Sequence, residues 1–96
     1  MFARVITMQL KSDKLDEAVK NYKEIGTAAK AIKGFNSNYL LIDRETGKAV
    51  SVAFWDSEED AIVNEQSGYY QEQLGKFKGF FTAPPVREGY EVSIQA

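Results

Sequence analysis

Residues 34–61 read GFNSNYLLIDRETGKAVSVAFWDSEEDA, and the predicted fold is built around them. Two apolar runs flank a short polar segment in which Gly47 can adopt the positive φ that a tight reversal requires. This pattern predicts a β-hairpin. The second strand ends at Trp55, and Ser57 and Asp60 follow it at the spacing that is typical of a capped helix start. The centre of the chain is therefore predicted to be strand, turn, strand and capped helix.

The chain before this stretch predicts a strand and a helix. Residues 2–10 are rich in β-forming side chains and carry apolar residues on both faces of the predicted strand. Apolar residues then recur at spacings of three and four from residue 15 to residue 32, which predicts one helical stripe. Ser12 and Asp13 are candidate caps for this helix, and Gly34 stands where its C-terminal stop is expected.

The chain after the hairpin predicts a second helix and a final strand. We expect the helix to break or bend near Gly68, because Gly in a helix interior costs about 1 kcal/mol relative to Ala. Pro84 and Pro85 end anything helical. Residues 86–95 alternate apolar and polar side chains, which predicts a strand with one apolar face.

The predicted element order is β-α-β-β-α-β, the ferredoxin-like arrangement of an α+β fold. It places four strands in one antiparallel sheet and both helices on one face of that sheet. A chain of 96 residues is expected to form a single domain, residues 1–96. At least three strands carry apolar residues on both faces, so the uncovered face would be a large apolar patch. We therefore expect a homodimer that packs two sheet faces together.

The composition excludes several classes of function. The formal net charge is −2 and the charges are scattered, so nucleic acid is not an expected partner. The chain has no Cys and no His, which rules out disulfides, thiolate metal sites, a Ser-His-Asp arrangement and a His-ligated haem. No apolar run approaches the roughly 18 residues of a membrane span, so we expect a cytoplasmic protein without membrane contact.

Several features together resemble the antibiotic biosynthesis monooxygenase family of dimeric α+β barrels. They are the Gly34-Phe35 pair, the turn at residues 43–48, the strand-to-helix junction at residues 54–61 and the order of elements. The resemblance covers nearly the whole chain. It implies a homodimer whose two sheets form a barrel, with one pocket per subunit between sheet and helices. Cofactor-independent oxygenases of this family act on polycyclic aromatic phenols, and the bound substrate supplies electrons to oxygen.

The candidate pocket residues are Arg4, Asn38, Trp55, Tyr69 and Tyr70. Trp55 is the only Trp, and similar family members often carry a Trp at this junction. It can stack on a flat aromatic ligand, or it can simply close the end of the core. Tyr69 and Tyr70 follow the expected helix break, so one hydroxyl can donate to a phenolate or enolate, or both rings can pack in the core.

Asn38 and Arg4 are polar interruptions of predicted strands. Asn36 and Asn38 precede the apolar part of the second strand, and one of them can polarise a substrate carbonyl or be solvated at a loop or edge. Arg4 and Glu88 interrupt the two terminal strands, which predicts a buried cross-strand pair or an Arg4 that anchors an anionic ligand. The acidic run at residues 56–60 is explained by the helix start, so no metal site is expected.

The leading hypothesis is an oxygenase that acts on a small aromatic or enolisable compound without any cofactor. Trp55 would stack on the compound, while Asn38 and Tyr69 or Tyr70 would donate hydrogen bonds to it. The first alternative is a non-catalytic homodimer that binds or senses a small hydrophobic or aromatic ligand. The second is a dimer whose apolar sheet serves only assembly.

Overall fold

The computed structural model, which describes residues 1–96, contains four strands and three helices. The strands are β1 (Phe2–Gln9), β2 (Phe35–Ile42), β3 (Lys48–Trp55) and β4 (Val86–Glu91). The helices are α1 (Leu15–Ala29), α2 (Glu58–Glu65) and α3 (Gly68–Phe77). The strands form one antiparallel sheet in the order β2-β3-β1-β4, with the helices on one face. The predicted ferredoxin-like α+β fold is confirmed. None of the helices has both the length and the apolar character that crossing a bilayer requires.

The predicted hairpin is formed by β2 and β3. Its turn is closed by backbone hydrogen bonds of 2.8 Å from the Gly47 N–H to the Asp43 carbonyl and from the Asp43 N–H to the Lys48 carbonyl. Gly47 has a φ of 78°, and a Cβ there would lie 2.6 Å from the Leu10 carbonyl oxygen. Both the backbone conformation and the close approach of the neighbouring chain therefore require Gly at this position.

Two serine caps divide the second helical segment. The Ser57 hydroxyl accepts a hydrogen bond of 3.2 Å from the Asp60 N–H and begins α2, as predicted. The Ser67 hydroxyl accepts one of 3.2 Å from the Tyr70 N–H and begins α3. The predicted break near Gly68 is thus confirmed. Its local cause is the Ser67 cap, because an N-cap residue has extended backbone dihedrals that interrupt the preceding helix.

The start of α1 differs from the prediction that Ser12 or Asp13 caps it. Residues Ser12–Lys14 form a 3-10 turn, and neither side chain makes a capping hydrogen bond. The Lys14 N–H bonds instead to the Lys11 carbonyl at 3.0 Å. This bond within the 3-10 turn satisfies the Lys14 N–H, a backbone group that a side-chain cap would otherwise bond. The α-helix α1 therefore begins at Leu15.

The last strand is shorter than the predicted residues 86–95. β4 ends at Glu91, whose partner Phe2 is the first residue of β1. Because β4 is an edge strand that pairs with β1 alone, regular pairing stops where β1 begins. A single further backbone hydrogen bond joins the Val92 N–H to the Met1 carbonyl at 3.0 Å.

The core lies between the sheet and the helices in two clusters. The larger cluster consists of Met8, Leu10, Leu15, Ala18, Ala49 and Phe77, and the smaller one of Phe2, Trp55 and Ala61. On the opposite face of the sheet, four large apolar side chains are about half exposed: Tyr39, Leu41, Val86 and Tyr90. One face of the sheet therefore carries the core, and the other presents apolar side chains without a covering layer.

Replacing Gly34 by Ala should destabilise the fold by about 2 kcal/mol or more. Gly34 has a φ of 82°, which costs a residue with a Cβ roughly 1–2 kcal/mol, and its Cβ would lie 2.2 Å from Asp60 Oδ2. The matched control is Gly79→Ala, because a Cβ at Gly79 meets nothing within 4 Å. Urea unfolding of both variants measures the difference, and equal midpoints would contradict the expectation.

Candidate functional site

A cavity of about 150 Å³ lies between the helix-covered face of the sheet and all three helices. Hydrophobic residues make up 14 of the 21 that line it, so its wall is mainly apolar. The five residues singled out in the sequence all lie in this wall: Arg4, Asn38, Trp55, Tyr69 and Tyr70. The fold thus brings together side chains that lie up to 66 positions apart in the chain.

The floor of the cavity is set by the register of the sheet. In one row across the strands, Ala53 of β3 lies between Asn38 of β2 and Arg4 of β1. In the next row, Ser51 of β3 lies opposite Ile6 of β1. Small or apolar residues therefore form the middle of the floor, while the polar groups lie toward its sides.

A polar cluster lies on the β2–β3 side. The Tyr22 hydroxyl of α1 is hydrogen-bonded to the Ser51 hydroxyl and lies 3.4 Å from the Tyr39 carbonyl oxygen. Asn38 packs against the bare backbone of α1, since a Cβ at Gly26 would lie 3.0 Å from both polar atoms of its amide. Burial raises the pKa of Tyr22 above its ordinary value of 10.0, and the hydrogen bonds with Ser51 and Asn38 oppose this shift. The phenol is therefore protonated at neutral pH, and its one hydrogen is used within this cluster.

An ion pair lies on the opposite side of the cavity. Arg4 Nε is 2.6 Å from Glu65 Oε2, and Arg4 Nη2 donates to Glu65 Oε1 at 3.1 Å. The two side chains are only 16% and 10% exposed, so water screens the pair weakly. A second guanidinium, that of Arg87 on β4, has its Nη1 3.8 Å from Glu65 Oε2. It also donates a hydrogen bond of 3.4 Å to the Tyr70 hydroxyl, and this bond raises the pKa of Arg87.

The predicted pair between Arg4 and Glu88 is wrong. In the observed register Arg4 lies opposite Gly89, whereas Glu88 lies opposite Val5 and so points to the uncovered face. There Glu88 accepts a hydrogen bond of 3.0 Å from the Tyr90 hydroxyl. A shift of one residue in register thus separates the two charges onto opposite faces of the sheet.

Trp55 and Tyr69 lie near the end of the cavity beneath α2 and α3. Trp55 is 4% exposed and packs edge-on against Phe35, with ring centroids 5.4 Å apart. It belongs to the smaller core cluster and also lines the cavity, so its two predicted roles are compatible. The Tyr69 hydroxyl is buried and has no hydrogen-bond partner in the protein. A buried hydroxyl without a hydrogen-bond partner is energetically costly.

The five residues singled out in the sequence lie within the part of the chain that a family model recognises. The model described as "Antibiotic biosynthesis monooxygenase" matches residues 1–73, about three quarters of the chain. The chain belongs to the antibiotic biosynthesis monooxygenase family. None of the curated proteins matches the chain in sequence.

Solved structures of low sequence identity share the family fold. Rv0793 from Mycobacterium tuberculosis aligns at 16% identity with a TM-score of 0.81, over 99% of this chain and 97% of its own. A Caulobacter crescentus protein named after the same family aligns at 16% identity with a TM-score of 0.84, over 97% and 90% of the two chains. One from Deinococcus radiodurans aligns at 12% identity with a TM-score of 0.83, over 100% and 96%. These likenesses extend the fold assignment to the whole chain, including β4.

Sequence reasoning missed several polar residues at this site, among them Tyr22, Ser51 and Glu65. Ser51 is the one polar residue inside the apolar run at residues 49–55, which is a usable signal. Glu65 follows the buried Ala61 by four positions, so it lies on the buried face of α2. Tyr22 belongs to an apolar stripe and gives no such signal. No group of carboxylates in the structure is arranged to hold a metal ion.

Replacing Tyr22 by Phe should destabilise the protein by about 1 kcal/mol near pH 7, because Ser51 loses its partner. The pKa of Tyr22 is raised in the folded state, so its proton stabilises the fold below pH 10.0 and this contribution fades as the pH rises past that value. The loss in free energy of unfolding that Tyr22→Phe causes should therefore become smaller at alkaline pH. Urea unfolding of the wild type and Tyr22→Phe between pH 7 and about pH 11 tests this. A cost independent of pH would contradict it.

Proposed function

We propose that this family member is an oxygenase that binds a small aromatic or enolisable compound in the cavity and uses the electrons of that compound to reduce oxygen. The observation that carries the proposal is the mainly apolar cavity with hydrogen-bonding side chains at its margins. Such a combination is typical of sites that bury a flat organic molecule and orient it through a few polar contacts.

The size of the cavity favours a compound with one ring. An apolar cavity of about 150 Å³ in another protein holds benzene, and the volume here is the same. Trp55 offers a rigid aromatic surface at one end of such a ligand, and Ala53 leaves room above the middle of the floor. The polycyclic phenols of the oxygenases that the sequence resembles would exceed this volume.

The polar groups suit a substrate that reacts through a phenolate or enolate. Loss of the hydroxyl proton to solvent water leaves negative charge on the substrate oxygen and raises the electron density on a ring carbon, which then reacts with molecular oxygen. Asn38, Ser51 and Tyr69 have donors that can stabilise this oxygen, and such fixed donors act strongly in an apolar site. For a phenol the balance closes without another reductant: one oxygen atom enters the ring to give a quinone, and the other leaves as water.

A titration that follows Trp55 emission while recording oxygen uptake tests the proposal. We expect small phenols to quench the emission saturably and to consume oxygen, because the single Trp lines the cavity. Tyr69→Phe should lower the turnover by roughly tenfold or more while binding changes little, since one fixed donor to a developing charge is worth that much. Tyr39→Phe on the uncovered face is the control.

The outcomes separate the two functional candidates. Saturable quenching without oxygen uptake would contradict the oxygenase and support a ligand-binding or sensing role. An unchanged emission across the series would contradict both, and Trp55 would then serve only the core.

We also propose that two copies of the chain form a homodimer through their uncovered sheet faces. Tyr39, Leu41, Val86 and Tyr90 place large apolar side chains on this face, each about half exposed. Burial of such a patch is favourable in proportion to the apolar area removed from water. A second copy presents the same surface, so a two-fold arrangement satisfies both patches at once.

Val86→Lys should dissociate the dimer, because it places one charge of each subunit in the apolar contact. Val63→Lys is the matched control, since Val63 is 61% exposed on α2 and Val86 is 56% exposed on β4. Sedimentation velocity measures the change. A monomeric wild type, or equal dissociation of both variants, would contradict the proposed interface.

A further inference from the structure

A cluster of two arginines and one glutamate lies at the β1–β4 side of the cavity: Arg4 and Glu65 line the cavity, and Arg87 lies just outside its wall. Arg4 and Arg87 both approach one carboxylate, that of Glu65. Arg4 alone would neutralise this carboxylate through its two contacts, so the fold does not need Arg87 for charge balance. The cluster therefore has one unmatched positive charge at the edge of a mainly apolar site, where an anion would be attracted.

Donors in this cluster remain free for a ligand. A guanidinium has five N–H groups. Arg4 donates to Glu65 through Nη2, while its Nε lies 2.6 Å from Glu65 Oε2 without the geometry of a hydrogen bond. Arg87 directs its Nη1 atom at the Tyr70 oxygen, which leaves the phenolic hydrogen of Tyr70 free. Arg87 is 48% exposed, so it can reorient toward a ligand at small cost. Planar guanidinium groups match the geometry of a carboxylate particularly well.

The sheet register places these cations opposite the polar cluster on the other side. Asn38 and Arg4 occupy one row and are separated by Ala53, while Ser51 and Arg87 occupy the next and are separated by Ile6. In each row the two polar residues are two strands apart, which is about 10 Å between Cα atoms. The side chains shorten this gap, so a single ring with substituents at opposite positions would bridge it.

We propose that the ligand is an aromatic or enolisable acid. Its carboxylate binds among Arg87, Tyr70 and Arg4, and the oxygen at its opposite end accepts hydrogen bonds from Ser51 and Asn38. This assignment rests on the proposed function, because it names the substrate class of the same cavity. It gives Arg87 a role in ligand binding, although Arg87 lies outside the residues that the family model matches.

The test compares 4-hydroxybenzoate with its neutral amide, 4-hydroxybenzamide, by quenching of Trp55 emission at neutral pH. The two probes share ring, hydroxyl and shape, so their difference isolates the carboxylate. We expect the wild type to bind the acid about tenfold more tightly than the amide, because one charge-assisted contact in a partly exposed site provides a gain of that size. In Arg87→Gln this preference should fall to about threefold or less. Arg44→Gln, which removes an exposed arginine paired with Asp16, should preserve it.

Each outcome bears on one of the two proposals. Equal binding of acid and amide by the wild type would overturn the acid assignment and leave the cavity as a site for neutral rings. Equal loss of preference in Arg87→Gln and Arg44→Gln would overturn it too, because the net charge of the chain would then explain the effect. Failure of both probes to bind would overturn the proposed function itself. A preference lost only in Arg87→Gln would support the acid.

Discussion

The pairing of β1 with β3 at the centre of the sheet is the constraint on which the site depends. Side chains alternate between the two faces of a strand, so this register decides which residues face the helices. It turns Arg4, Ser51 and Ala53 toward the cavity and Val5 and Val52 away from it. A slip of one residue would exchange the two sets, and the charged and apolar groups of the cavity wall would then lie on the uncovered face.

The helical layer adds its polar groups through the interruption at Ser67. A continuous helix would carry its side chains around a single axis, whereas the cap at Ser67 starts α3 in a new direction. Glu65 at the end of α2 and Tyr69 and Tyr70 at the start of α3 therefore all reach the same cavity. The interruption that limits helix length thus also concentrates hydrogen-bonding groups at one place.

The fold could be predicted from the sequence because its signals are local. The hairpin turn at Gly47 and the caps and breaks of the second helical segment depend on residues close together in the chain. The five candidate residues all lie in the cavity wall, and two of them, Arg4 and Asn38, could be identified as polar interruptions of predicted strands. Their roles in binding a ligand remain predictions.

The partners of these residues could not be predicted, because they are set by contacts between distant segments. Arg4 meets Glu65, which is 61 positions away, and Tyr22 meets Ser51, which is 29 positions away. The Arg4–Glu88 prediction identified neighbouring strands but not their register. Because side chains alternate between the two faces of a sheet, an error of one position places a residue on the wrong face. The short 3-10 turn before α1 likewise depends on a backbone bond that no residue preference signals.

The sheet is a single layer of chain, and this has a consequence for β3. Ser51 and Ala53 face the ligand cavity, while Val50 and Val52 between them face the uncovered side. Any surface that covers that side is therefore separated from a bound ligand by only the thickness of one peptide backbone. A group packed on the uncovered side and a ligand in the cavity would therefore contact the same strand from opposite faces.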